Sequence, residues 1–71
     1  MTIGQRQNVS ARIFDLNGRI VKTLLQRELP AGVHTITWDG TDEAGKRATA
    51  GVYLIRISCE SGLHTGKIIL Q

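Results

Sequence analysis

Between Gly51 and Cys59, the residues Tyr53, Ile55, Ile57 and Cys59 fall on every second position, with Leu54, Arg56 and Ser58 between them. A period of two sends successive side chains to opposite faces of an extended chain, and a helix has no use for it. The stretch reads as a strand. The same rhythm recurs where Val9, Ala11 and Ile13 alternate with Ser10 and Arg12. It returns from Val33 to Asp39, with His34, Ile36 and Trp38 on one face and Thr35 and Thr37 on the other. A last strand is predicted from Leu63 to Leu70, and Thr2-Ile3 reads as the tail of a further strand at a sheet edge.

Turn signals separate these runs. Asp15-Leu16-Asn17-Gly18 is predicted to place Asn-Gly, with its positive φ angles, in a tight hairpin. Arg19 to Leu25 is the return strand, and Val21 and Leu24, three positions apart, predict a bulge or an early end. A helix over Arg19–Leu29 would lack a good cap and begin directly after a hairpin turn. Pro30-Ala31-Gly32 turns the chain, Gly40 to Gly51 is a long polar loop, and Ser61-Gly62 precedes the last strand. Short strands at this spacing, without a helix between them, build a sandwich or a barrel.

A chain of 71 residues has room for one domain. At this size only about 60% of the unfolded surface is buried, so stability is expected to be thin and no second domain is expected to supply a cleft. Phe14, Trp38 and Tyr53 are the only aromatics, which leaves Val, Ile and Leu to fill the core. The net charge of +3 comes from nine basic residues scattered among six acids, with Lys46-Arg47 the longest basic run. No aromatics interleave with cations as a base-stacking surface requires, so a nucleic-acid partner is not expected. The apolar runs are too short to span a membrane, and membrane insertion is not expected either. A single cysteine, Cys59, excludes an internal disulfide.

The series Ile13-Phe14-Asp15, Gly18-Arg19, Val21, Leu24, Pro30-Ala31-Gly32, Trp38-Asp39-Gly40, Asp42, Gly45, Ala50-Gly51-Val52-Tyr53 and Lys67-Ile68-Ile69-Leu70 resembles two related groups. One is the type A C-terminal sorting domain of the type IX (Por) secretion system. The other is the immunoglobulin-like domain of flagellar hook-capping proteins, FlgD-like in kind. The resemblance covers residues 8–71 and implies an all-β, immunoglobulin-like antiparallel β-sandwich. The Asn-Pro-Phe-type segment that usually opens the family is absent, which leaves open whether the first strand is missing. Residues 1–7 read as a partial strand or an added lead-in, and residues 8–71 as the domain.

The sorting resemblance implies a non-catalytic C-terminal domain that directs a secreted bacterial protein through an outer-membrane translocon, by way of the periplasm, to the medium or the cell surface. Its partners would then be the outer-membrane secretion machinery and a cargo protein preceding the domain. Lys67, Ile68, Ile69 and Leu70 are the residues expected to engage that machinery, in part by edge pairing. The alternatives are a structural module of a flagellar hook cap and an adhesion or carbohydrate-binding module attached to a secreted enzyme. The last is poorly served by three aromatics. An open sheet edge is expected to promote self-association.

The remaining motifs read as structure. Trp38 is expected to fill the core, Asp39 to bind loop amides and Gly40 to adopt a backbone conformation closed to larger residues, with Gly51 and Tyr53 completing the motif. Gly40, Gly45 and Lys46 mimic a phosphate loop, but Arg47 stands where Ser or Thr is needed and Asp42 and Glu43 stand where phosphates would sit. Asp39, Asp42 and Glu43 offer oxygen ligands without the alternate spacing of a calcium loop, so no metal or other cofactor is expected. His34 and His64 with Ser10, Ser58 and Ser61 include the residue types of a triad, yet no glycine-framed nucleophile elbow is present, and the chain is not expected to be an enzyme. Cys59 reads as a small buried hydrophobe. Asn8-Val9-Ser10 matches a glycosylation acceptor only formally.

Overall fold

The computed structural model describes residues Met1–Gln71 and contains no helix. Its strands are β1 (Thr2–Ile3), β2 (Gln7–Phe14), β3 (Ile20–Leu29), β4 (Gly32–Val33), β5 (Gly51–Cys59) and β6 (Gly62–Leu70). Four of them form one antiparallel sheet in the order β3-β2-β5-β6, and β1 pairs with β4 in a second, two-stranded sheet. The small sheet lies on one face of the large one. Ile3 of β1 packs with Val9 and Leu29, and Leu25, Ile57 and Cys59 close around them. The architecture is an immunoglobulin-like β-sandwich whose second layer is short.

The period of two sorts the side chains as the sequence predicts. On β2, Gln7, Val9, Ala11 and Ile13 are buried while the residues between them are not, and Ile13 and Ala11 are fully enclosed. β5 crosses β2 in register, with Ile13 opposite Ile55 and Ala11 opposite Ile57, so both central strands turn the same face inward. β3 runs to Leu29, past the predicted end at Leu25, and carries two register shifts against β2, one between Ala11 and Arg12 and one between Ile13 and Phe14. Leu24 and Val21 are the extra residues. The three-residue spacing marks two bulges, one at each of these residues, with Lys22 and Thr23 regularly paired between them.

Two expectations need correction. The hairpin after Phe14 is not a two-residue turn with two positive φ angles, because Gly18, at +86°, is the only residue of the loop in that region. Asp15 sets the geometry instead: its amide donates to the Arg19 carbonyl, and its Oδ1 accepts from the amides of Asn17 at 2.9 Å and Arg19 at 3.0 Å. The side chain closes a longer loop in which one glycine suffices. The second correction concerns Val33 to Asp39. Only Gly32 and Val33 belong to a ladder, with Ile3 and Thr2 as partners. The predicted alternation survives, since His34, Ile36 and Trp38 are half-buried and Thr35, Thr37 and Asp39 exposed. No neighbouring strand lies beside the run, so it has an inward face without being a strand.

Residues 1–7 contribute to the core. Ile3 is buried in the apolar cluster, and the buried Gln7 accepts a 2.9 Å hydrogen bond from the Glu60 amide through its side-chain oxygen.

Candidate functional site

The Trp38-Asp39-Gly40 motif sits where the second layer crosses back onto the large sheet. Trp38 meets Tyr53 of β5 edge-on, with ring centroids 5.1 Å apart, and its indole N–H donates to the Thr41 carbonyl at 2.8 Å. The Tyr53 hydroxyl in turn donates to the Thr49 carbonyl. Gly40 is buried with φ at +82°, and a β-carbon there would come within 3.2 Å of the Leu70 side chain. The backbone angle strains any side chain placed there, and Leu70 would have to shift to make room for one. Gly51 opens β5 immediately after the loop.

Asp39 fixes the entry to that loop. Its Oδ1 accepts from the Thr41 amide at 3.0 Å and the Thr41 hydroxyl at 2.6 Å, and the Lys22 ammonium lies 3.6 Å away. The Thr41 hydroxyl and then its amide hold the Asp39 carboxyl below its ordinary value of 3.8; desolvation opposes them, and the Lys22 charge and hydrogen bond add a lesser pull downward. Lys22 also donates to Thr41 Oγ1 at 2.7 Å. Asp42 organises the tip, accepting from the amides of Ala44 and Lys46, each at 2.9 Å. Glu43 ties the loop to β3, since its amide donates to the Val21 carbonyl and its carboxylate accepts from the Thr23 amide.

Each of the three acids is engaged with the loop or with β3, and no group of three or more His, Cys, Asp or Glu converges anywhere in the molecule. Of the triad residue types, His34 bonds the Pro30 carbonyl at 2.8 Å, Ser10 lies opposite Ser58 across β2 and β5, His64 lies opposite Ile57 on β6, and the Ser61 hydroxyl bonds Cys59 Sγ; no Ser–His hydrogen bond forms among them. The loop is closed by its own hydrogen bonds and tied to β3.

The terminal residues Lys67, Ile68, Ile69 and Leu70 divide by the pleat of β6. Ile68, opposite Tyr53, and Leu70, against Gly40, face inward and are half-buried. Lys67, opposite Leu54, and Ile69, opposite Val52, face outward and are exposed. They adjoin a feature that sequence reasoning missed: the outer face of the large sheet carries Phe14 and Leu54 side by side, and the Arg56 guanidinium lies 4.8 Å above the Phe14 ring. The cross-strand pairing that brings these residues together depends on register, which a linear reading does not supply.

A model of the FlgD Ig-like domain family matches residues 4–62. That is most of the chain. It belongs to the FlgD Ig-like domain family. Among curated proteins, the basal-body rod modification protein FlgD of Escherichia coli K12 is 48% identical over 54 residues, covering 76% of this chain and 23% of that protein. The protein of the same name from Salmonella typhimurium shows the same identity and coverage. The chain therefore spans about a quarter of the length of these FlgD relatives. No solved structure matches. Lys67 to Leu70 lie beyond the matched residues, so membership in the FlgD Ig-like family assigns them no role. The family is a structural, non-catalytic one. Of the two groups that the sequence resembles, the comparisons favour the flagellar one.

Proposed function

We propose that the chain is a non-catalytic structural module of a FlgD-type protein and serves assembly of the flagellar rod and hook. The 48% identity to the rod modification protein FlgD over 54 residues carries this reading. The antiparallel sandwich, with its loop bonded internally and to β3, is compatible with it. The proposal places the module at the cell surface, where the appendage is built, with other proteins of that assembly as its partners.

The test is a chimera. The matched segment of the E. coli FlgD is replaced by this chain in a strain lacking its own copy, and swimming motility is measured alongside protein level. Restored motility is expected. A chimera that accumulates normally and leaves the cells immotile would overturn the reading.

A second reading, export through an outer-membrane translocon, draws on the exposure of Lys67 and Ile69 on β6, an edge strand of the large sheet. Its test is a secreted reporter fused to this chain in a host with a type IX system. Export that persists after removal of Lys67 to Gln71 would overturn those residues as the signal.

A further inference from the structure

The outer face of the large sheet gathers positive charge with no acid to answer it. Arg12 of β2 stands directly opposite Arg56 of β5, and Thr23 of β3 and Thr65 of β6 flank the pair in the same row. Side chains so placed in an antiparallel pair start about 5 Å apart, and like charges there repel. The two guanidiniums lean to opposite sides of the row: Arg12 donates to the Ser10 hydroxyl at 2.7 Å, and Arg56 lies 4.8 Å from the centre of the Phe14 ring. Neither contact is with an anion. The two ion pairs of the chain, Arg6 with Glu28 and Lys22 with Asp39, include neither arginine, and Lys67, diagonal to Arg56, adds a third unpaired cation. The remaining acids are placed elsewhere. Asp15, Asp42 and Glu43 accept backbone amides, and Glu60 follows the end of β5.

Apolar side chains continue the same face. Phe14 and Leu54 form the next row along the strands, and Val52 and Ile69 the row after it, with Ile69 64% exposed. Successive rows lie about 7 Å apart, the length of two residues of extended chain. Unpaired guanidiniums, which take carboxylates through paired N–H donors, therefore stand at a fixed spacing from an apolar strip.

We infer that this face docks a partner protein through an extended acidic segment. A carboxylate seats between Arg12 and Arg56, and apolar side chains two and four residues along cover the Phe14–Leu54 and Val52–Ile69 rows. Charge complementarity selects this occupant. A second copy meeting the face with its own would set the same three cations against each other. An anionic bilayer is disfavoured because Arg56 stands over Phe14 and Lys67 beside Leu54, so that charged heads, and not the apolar groups, meet it first. A free phosphate would satisfy the arginines and leave the apolar strip bare. This inference goes beyond the assembly role proposed above and does not depend on it.

The probe is a blocked peptide with Glu, Leu and Val at alternate positions and Ser between them, titrated into the isotope-labelled chain. Saturable shifts of the Arg12, Phe14, Leu54 and Arg56 amides are expected, weakening as salt is added. The same peptide with Gln in place of Glu should bind about tenfold more weakly, and so should the Glu peptide to the variants Arg12→Gln and Arg56→Gln, each checked for an unchanged fold by circular dichroism. If a variant does not fold, the Gln peptide carries the test. Equal binding of the two peptides, no saturable shift with millimolar peptide, or shifts confined to β1 and β4 would overturn the inference. So would displacement of the peptide by an equal concentration of inorganic phosphate, tighter binding to phosphatidylglycerol vesicles than to the peptide, or a concentration-dependent dimer that shifts the same amides. The purified chimera with E. coli FlgD supplies the last arm. It should bind the peptide as the chain alone does; a chimera whose face is already covered, with these amides shifted and the peptide excluded, would place the occupant in the same polypeptide and overturn the inference. All these readouts are of binding and none is of motility, so this inference and the assembly reading fail separately.

Discussion

At Gly40 two constraints coincide, a left-handed backbone angle and a neighbour 3.2 Å from any added β-carbon. Gly40→Ala should destabilise the domain by about 1–3 kcal/mol in a denaturant melt, and a loss below about 0.5 kcal/mol would show that the loop relaxes around it. Trp38 has a different role. It is half-buried, so Trp38→Ala should cost about 3 kcal/mol, the low end for a large aromatic, and a cost under about 1 kcal/mol would make it a surface residue. For Asp39 the linkage has a definite sign. Its folded-state carboxyl ionises below the ordinary 3.8, so its contribution is present above that value and is lost as the pH falls through the lower folded-state one. The stability difference between the wild type and Asp39→Asn should therefore be constant near neutral pH and shrink only below about pH 4, and a difference that persisted unchanged at pH 2 would contradict this.

Among the elements, β2 and β5 carry the core and the remaining strands lean on them. Ile13 has no exposed surface and lies between β3 and β5 in the large sheet, so Ile13→Ala should cost about 2–5 kcal/mol, readable as a shift in the denaturation midpoint. Hydrogen exchange should rank the segments in the same order. Amides of β2 and β5 are expected to be the most protected and those of Thr35–Asp39 to exchange almost as in an unfolded peptide. Protection in Thr35–Asp39 comparable with that of β2 would mean the run is paired in solution. These segments also show what a linear reading can reach. Alternation in Val9–Ile13 and Gly51–Cys59 is a local property with a single geometric meaning, and it located β2 and β5. His34–Trp38 has the same alternation, yet whether an alternating run becomes a strand depends on a neighbour elsewhere in the chain. The Asp15 loop escaped for a related reason: Asn-Gly indicates a turn, while the turn type was decided by a carboxylate two residues earlier. Trp38-Asp39-Gly40 could be singled out from the sequence, although Trp38, expected to fill the core, is half-buried, whereas the outer pairing of Phe14, Leu54 and Lys67 needed the register of three strands.

For the molecule as a whole, the two layers are unequal. Four strands form one sheet, two short ones begin the other, and only eight residues are buried. A domain with so small an interior has a narrow stability margin. The single Trp38 set edge-on to the single Tyr53 has an optical consequence. Light absorbed by the phenol passes to the indole when the rings are 5.1 Å apart, so tyrosine emission should be nearly dark in the native state and return on unfolding. With one donor and one acceptor in the whole chain, that signal belongs to a single pair, and it reports directly on whether the second layer is seated on the first.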